Sequence, residues 1–115
     1  YTATIGGRSA LLIADTRSGR TREVLGGRRV LSSFSWDADK KRVAYVSSAV
    51  TAPTELYIAD ADGRNERRLT AFNVALSEEI AWSDAERITY NSVGGLEIEG
   101  WLMKPHGYES GKRYP

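Results

Sequence analysis

Short apolar runs alternate along this chain with breaks rich in glycine and aspartate. Residues 1–5 alternate aromatic, small and apolar side chains and stop at Gly6-Gly7, which predicts a strand and a tight turn. Residues 9–15 predict a second, more apolar strand. Arg17-Ser18-Gly19-Arg20 then turns the chain into a polar strand ending near Leu25. Gly26-Gly27 lets the chain swing back across, since glycine accepts positive φ. Residues 34–70 read as one complete four-stranded unit, whose strands fall at 30–36, 42–48, 55–60 and 66–70. Asp37-Ala38-Asp39-Lys40 and Asp62-Gly63 are its hairpin turns, and Thr51-Ala52-Pro53-Thr54 its connecting loop, where Pro53 needs no ladder N–H. In the second strand Val43 and Tyr45 fall on one face, Ala44 and Val46 on the other, the pattern of a sheet covered on both sides.

The pattern repeats. Arg42-Val43-Ala44-Tyr45 returns as Arg87-Ile88-Thr89-Tyr90, and Leu12-Ile13-Ala14-Asp15 as Tyr57-Ile58-Ala59-Asp60. Phe34-Ser35-Trp36 returns as Ile80-Ala81-Trp82, and Ser18-Gly19-Arg20 as Asp62-Gly63-Arg64, all at a period of about 45 residues. Short strands at that period are the signature of β-propeller blades. The expected fold is all-β: a partial propeller of about two and a half four-stranded blades. Residues 1–93 hold one complete and two partial blades, the third having its inner strand at 79–82 and its second at 87–92. After Ser92 the repeat breaks. Gly94-Gly95 leads into an alternation over 96–105 that runs through Gly100, so residues 94–115 read as a linker strand leaving the propeller. A ring needs at least four blades, which makes the chain a piece of something larger.

Composition narrows the function. Sixteen basic against fifteen acidic residues give +1, so no dedicated nucleic-acid binder is expected. Twelve of the sixteen bases are arginine, and the clusters Arg17, Arg20, Arg22, Arg28, Arg29 and Arg64, Arg67, Arg68 read as solvated blade rims. The absence of cysteine removes thiol chemistry and disulfides and fits a reducing compartment, with a cytoplasmic location expected. No apolar run is long enough for a membrane span, and no membrane partner is expected.

The end of the chain carries a family resemblance. Leu69-Thr70, Asn73, Ile88-Thr89-Tyr90-Asn91-Ser92, the run from Gly95 to Pro105 and Tyr114-Pro115 together resemble the propeller-to-hydrolase junction of the prolyl oligopeptidase family of serine peptidases, most closely its acylaminoacyl peptidase and dipeptidyl aminopeptidase branch. Gly94 stands where that family commonly has aspartate. The resemblance implies a propeller capping an α/β-hydrolase domain with a Ser-Asp-His triad. It also implies gated hydrolysis of short or N-acylated peptides, partnership with the rest of the same polypeptide, and a homo-oligomer. The alternative reading is a non-enzymatic propeller that binds other proteins.

No catalytic residue is placed on this chain, no substrate-binding residue is assigned, and neither metal nor cofactor is expected. No stretch matches the Gly-x-Ser-x-Gly nucleophile elbow. His106, the one histidine, sits in a loop beside Pro105 and Gly107 and reads as a surface residue. Glu78-Glu79 invites comparison with paired glutamates that hold a substrate amino terminus, but neighbours on a strand point to opposite faces. Asp60-Ala61-Asp62-Gly63 reads as a hairpin turn rather than a calcium loop. The glycine pairs lie between strands and read as turns, not phosphate cradles. Trp36 and Trp82 share one repeat position and read as blade-packing residues.

Overall fold

A computed structural model describes residues 1–114; Pro115, the last residue of the linker segment, lies outside the described residues. The first sheet runs β1 (Thr2–Ile5), β2 (Arg8–Ala14) and β3 (Thr21–Leu25), antiparallel and in that order. Ile5 lies opposite Arg8, so Gly6 and Gly7 form the whole loop, at φ 54° and 72°. A two-residue turn with both φ positive matches the right-handed twist of its strands, and glycine reaches it without strain. Asp15 shapes the next turn by accepting the N–H groups of Arg17 (2.9 Å) and Ser18 (2.8 Å) through one carboxylate oxygen.

The second sheet is the complete unit: β4 (Val30–Trp36), β5 (Arg42–Ala49), β6 (Ala52–Asp60) and β7 (Arg67–Arg68), in the order β4-β5-β6-β7. The expected loop at 51–54 is shorter than the sequence suggested. Ala49 already pairs with Ala52, and Pro53 lies within β6 at a register shift. A bulge is one of the few strand sites that tolerates a residue without an N–H. The outer strand is also shorter than residues 66–70, with the Thr70 hydroxyl taking over the Leu56 N–H at 2.9 Å.

Register decides what this sheet buries. On β4 the pairing shifts between Ser32 and Ser35, around Ser33 at φ 55°. That extra residue returns Phe34 and Trp36 to the face of Leu31; without it they would point away. Leu31 joins Val43, Tyr45 and Ala59 on one face, and Leu11 and Leu25 meet them from the first sheet. Val43 and Tyr45 are fully buried, and Phe34, Tyr45 and Tyr57 stack with ring centroids 5.8 and 6.0 Å apart. The core is therefore the seam between two neighbouring blades. Ala44, Val46, Leu56 and Ile58, on the opposite face, are only half-buried.

The third region departs from the repeat. Residues 79–82 form no inner strand. In their place stand a helix, α1 (Val74–Glu79), and an irregular run to Asp84. Ala75, Leu76, Glu78 and Glu79 are strong helix formers, and β8, the expected second strand, pairs with β9 and not with residues 79–82. Trp82 leaves the blade-packing role expected of it: its indole N–H donates to the Ser77 carbonyl at 3.2 Å, one of the helix's unpaired last acceptors. Beyond it, β8 (Ala85–Asn91) and β9 (Glu97–Met103) form an antiparallel hairpin, with Ala85 opposite Met103. The linker strand is thus not detached, since it pairs with β8 along its whole length. Gly100 faces Ile88, and a Cβ there would lie 3.4 Å from Ile88 Cγ1, so glycine makes room for cross-strand packing.

Candidate functional site

Three polar clusters hold the blades to one another and the last third of the chain to the blades. The first is centred on Glu55, near the start of β6 and nearly buried. Its carboxylate accepts the Thr70 hydroxyl and, at 2.8 Å, the Asn73 N–H, while Asn73 Nδ2 donates to the Thr54 carbonyl at 2.8 Å. The Thr70 hydroxyl foremost, with the Asn73 N–H, holds the Glu55 carboxyl below its ordinary value. The exit from the blade into α1 is pinned there.

The second cluster lies inside the seam. Arg29 grips Glu66 through both terminal nitrogens, and the Tyr45 hydroxyl donates to the same carboxylate at 2.6 Å. Arg29 Nε donates to the Gly26 carbonyl at 2.6 Å, tying the crossing between β3 and β4 into the network. Hydrogen bonding from Arg29 pulls the Glu66 carboxyl down, Glu66 pushes the guanidinium up, and burial foremost, aided by Glu66, pushes the Tyr45 phenol up. Arg29 is therefore no solvated rim residue; its side chain is 22% exposed.

The third cluster joins the hairpin to the blades. Arg28 pairs with Asp84 at 3.1 Å and donates to the Ala85 carbonyl at 2.9 Å. Trp101 lies against the Gly6-Gly7 turn, where a Cβ on Gly7 would fall 2.4 Å from the indole ring. Between these contacts runs a cleft of about 480 Å³. Val30, Val50, Ala85, Trp101 and Met103 give it an apolar lining.

The residues weighed from sequence take different places. His106 is exposed on the loop after β9 and makes no hydrogen bond among the described residues. Glu78 and Glu79 close α1, both exposed, at the end of a helix that disfavours negative charge. Asp60 and Asp62 serve a turn: Asp62 accepts the Arg64 N–H at 3.0 Å and Asp60 the Asn65 side-chain amide at 2.6 Å. Gly6 and Gly7 form a hairpin loop, as read, and of Gly26-Gly27 only Gly27 has positive φ, 96°. The structure brings none of these together. Glu55, Glu66 and Asp84 were missed, and Arg28 was read as a solvated rim residue, because the side chains that pair them lie fifteen or more residues apart and in sequence they resemble ordinary surface charges.

No protein-family model matches the chain. The uncharacterized peptidase YuxL of Bacillus subtilis (strain 168) is 32% identical over 85 residues, which is 74% of this chain and 13% of that protein. Among solved structures, the acylaminoacyl peptidase of Pyrococcus horikoshii superposes with a TM-score of 0.71 at 29% identity, over 90% of this chain and 16% of that one. An acylaminoacyl peptidase in complex with a Z-Gly-Gly-Phe-chloromethyl ketone gives 0.69 at 24% identity, over 100% of this chain and 19% of that one. The isopeptidase AtxE2 gives 0.72 at 21%, over 94% of this chain and 16% of that one, a likeness of fold alone. The chain thus spans less than a fifth of each of these proteins. Blade repeat, paired exit strand and these likenesses agree that the chain is a fragment of a prolyl oligopeptidase-family protein.

Proposed function

We propose that the whole protein is a serine peptidase that hydrolyses short or N-acylated peptides, and that this chain is the part of it that gates substrate access and joins propeller to hydrolase. The observation that carries the reading is the structural likeness to an acylaminoacyl peptidase at 29% identity over 90% of the chain. The chemistry is acyl transfer through a serine nucleophile, stabilised by donors around the developing oxyanion, and lies on other residues of the polypeptide. The contribution of this chain is steric. Edge strand β4 (Val30–Trp36) lines a channel too narrow for folded protein, and residues 94–115 carry the polypeptide onward to the hydrolase domain. The reading places the protein in the cytoplasm, as a homo-oligomer.

The test uses the full-length protein with N-acetyl-alanine p-nitroanilide, a folded protein substrate and a serine-directed fluorophosphonate. The expected result is hydrolysis of the anilide, resistance of the folded protein, and one labelled serine outside residues 1–115. An unlabelled, inactive full-length protein sinks the peptidase reading and leaves the propeller as a binding module. Cleavage of the folded substrate sinks the gating.

A further inference from the structure

We infer that Arg28 is a positioning residue, a single-side-chain clamp that sets how the β8–β9 hairpin sits against the blades. Three observations converge on it. Its guanidinium takes Asp84 with both terminal nitrogens, at 3.2 and 3.1 Å, and adds the Ala85 carbonyl at 2.9 Å, so one planar fork holds both a side chain and the backbone where β8 begins. Asp84 is itself oriented, because the same oxygen accepts the Ala85 N–H at 2.9 Å. Arg28 in turn projects from the short crossing between β3 and β4, closed by the Arg29 N–H bond to the Gly27 carbonyl at 2.9 Å and fastened into the seam by Arg29.

What surrounds the clamp gives it leverage. Packing between hairpin and blades is interrupted by the cleft of about 480 Å³, so apolar burial does not weld the two together. Trp101 on the Gly6-Gly7 turn is the contact on the far side of that cleft, and the indole is half exposed. Along the chain the blade ends at the Glu55 pin on Asn73, and between that pin and Asp84 lie only the six-residue helix and an irregular run. Covalent chain and Arg28 therefore both hold the hairpin where β8 begins, and Arg28 decides how the covalent tether is oriented. Both partners of the ion pair are exposed, at 70% and 60%, so the clamp is open to salt screening.

Spin labels at Ala38, on an exposed blade turn, and Val93, at the hairpin tip, would report the arrangement by pulsed dipolar spectroscopy on the full-length protein. The expected result is one narrow distance distribution that broadens for Arg28→Met, and in about 1 M salt, where the screening length falls to about 3 Å. Arg28→Lys, which keeps the charge and loses the fork, should fall between. Arg22→Met removes an exposed arginine of β3 outside the clamp and should leave the distribution narrow. A distribution that stays narrow for Arg28→Met and is indifferent to salt overturns the inference, as does equal broadening by Arg22→Met.

Discussion

Replacing Tyr45 with phenylalanine isolates one hydrogen bond in the inter-blade seam. The ring is fully buried between Phe34 and Tyr57, and phenylalanine keeps that stacking, so the change removes only the hydroxyl. That hydroxyl donates to the Glu66 carboxylate at 2.6 Å, a bond to a charged acceptor, worth about 1.5–3 kcal/mol. Glu66 keeps both bonds from Arg29 and is 29% exposed, so water can reach the oxygen that is freed. The loss therefore falls at the lower end, about 1.5 kcal/mol, or roughly tenfold in the local opening equilibrium. Native-state hydrogen exchange of the β5 amides reads it directly, and they should exchange roughly tenfold faster in Tyr45→Phe. A double-mutant cycle supplies the control. In a Glu66→Ala background the tyrosine substitution should cost far less, because its acceptor is already gone. Unchanged exchange, or an equal cost in both backgrounds, would refute the account of the seam as a polar node inside an apolar core.

The same node makes stability depend on pH at both extremes. Glu66 titrates below its ordinary 4.5 when folded, so its contribution is present above that value and is lost as pH falls through the lowered one; Glu66→Gln should flatten the acid limb of a pH–stability curve. Tyr45 titrates above its ordinary 10.0, so its contribution is present below that value and is lost as pH rises toward the raised one, and Tyr45→Phe should flatten the alkaline limb. Two glycines with similar backbone angles should respond differently to alanine. At Gly63, φ 87°, a Cβ would lie 2.0 Å from the Val24 carbonyl oxygen, so Gly63→Ala should cost about 3 kcal/mol or more; Gly19, φ 70°, has open space and should cost about 1 kcal/mol, with thermal unfolding of the two variants as the measurement. Glu55→Gln should loosen the exit from the blade, so limited proteolysis should cut residues 71–84 faster than in the wild type, while equal cleavage would remove Glu55 as the pin.

What could be read from sequence was what is local or repeated. Strands β1 to β6 follow from alternation, and their turns from Gly6-Gly7, Asp37 and Asp62-Gly63, because these residues bias backbone angles wherever they stand. The period of about 45 residues carried that reading to blade architecture without any knowledge of contacts. It failed at residues 79–82, where a repeat match predicted an inner strand. A strand exists only where a neighbour completes its ladder, and here residues 74–79 follow their local helix preference while β8 pairs with β9 alone. The polar clusters were out of reach for a related reason. Arg28 and Asp84 are 56 residues apart, Arg29 and Glu66 are 37 apart, and nothing in their local sequence separates them from exposed Arg22 or Arg64. Local chemistry is written in neighbouring residues and so determined strands and turns. Which charges meet depends on how separate sheets pack, and only the tertiary structure decided that.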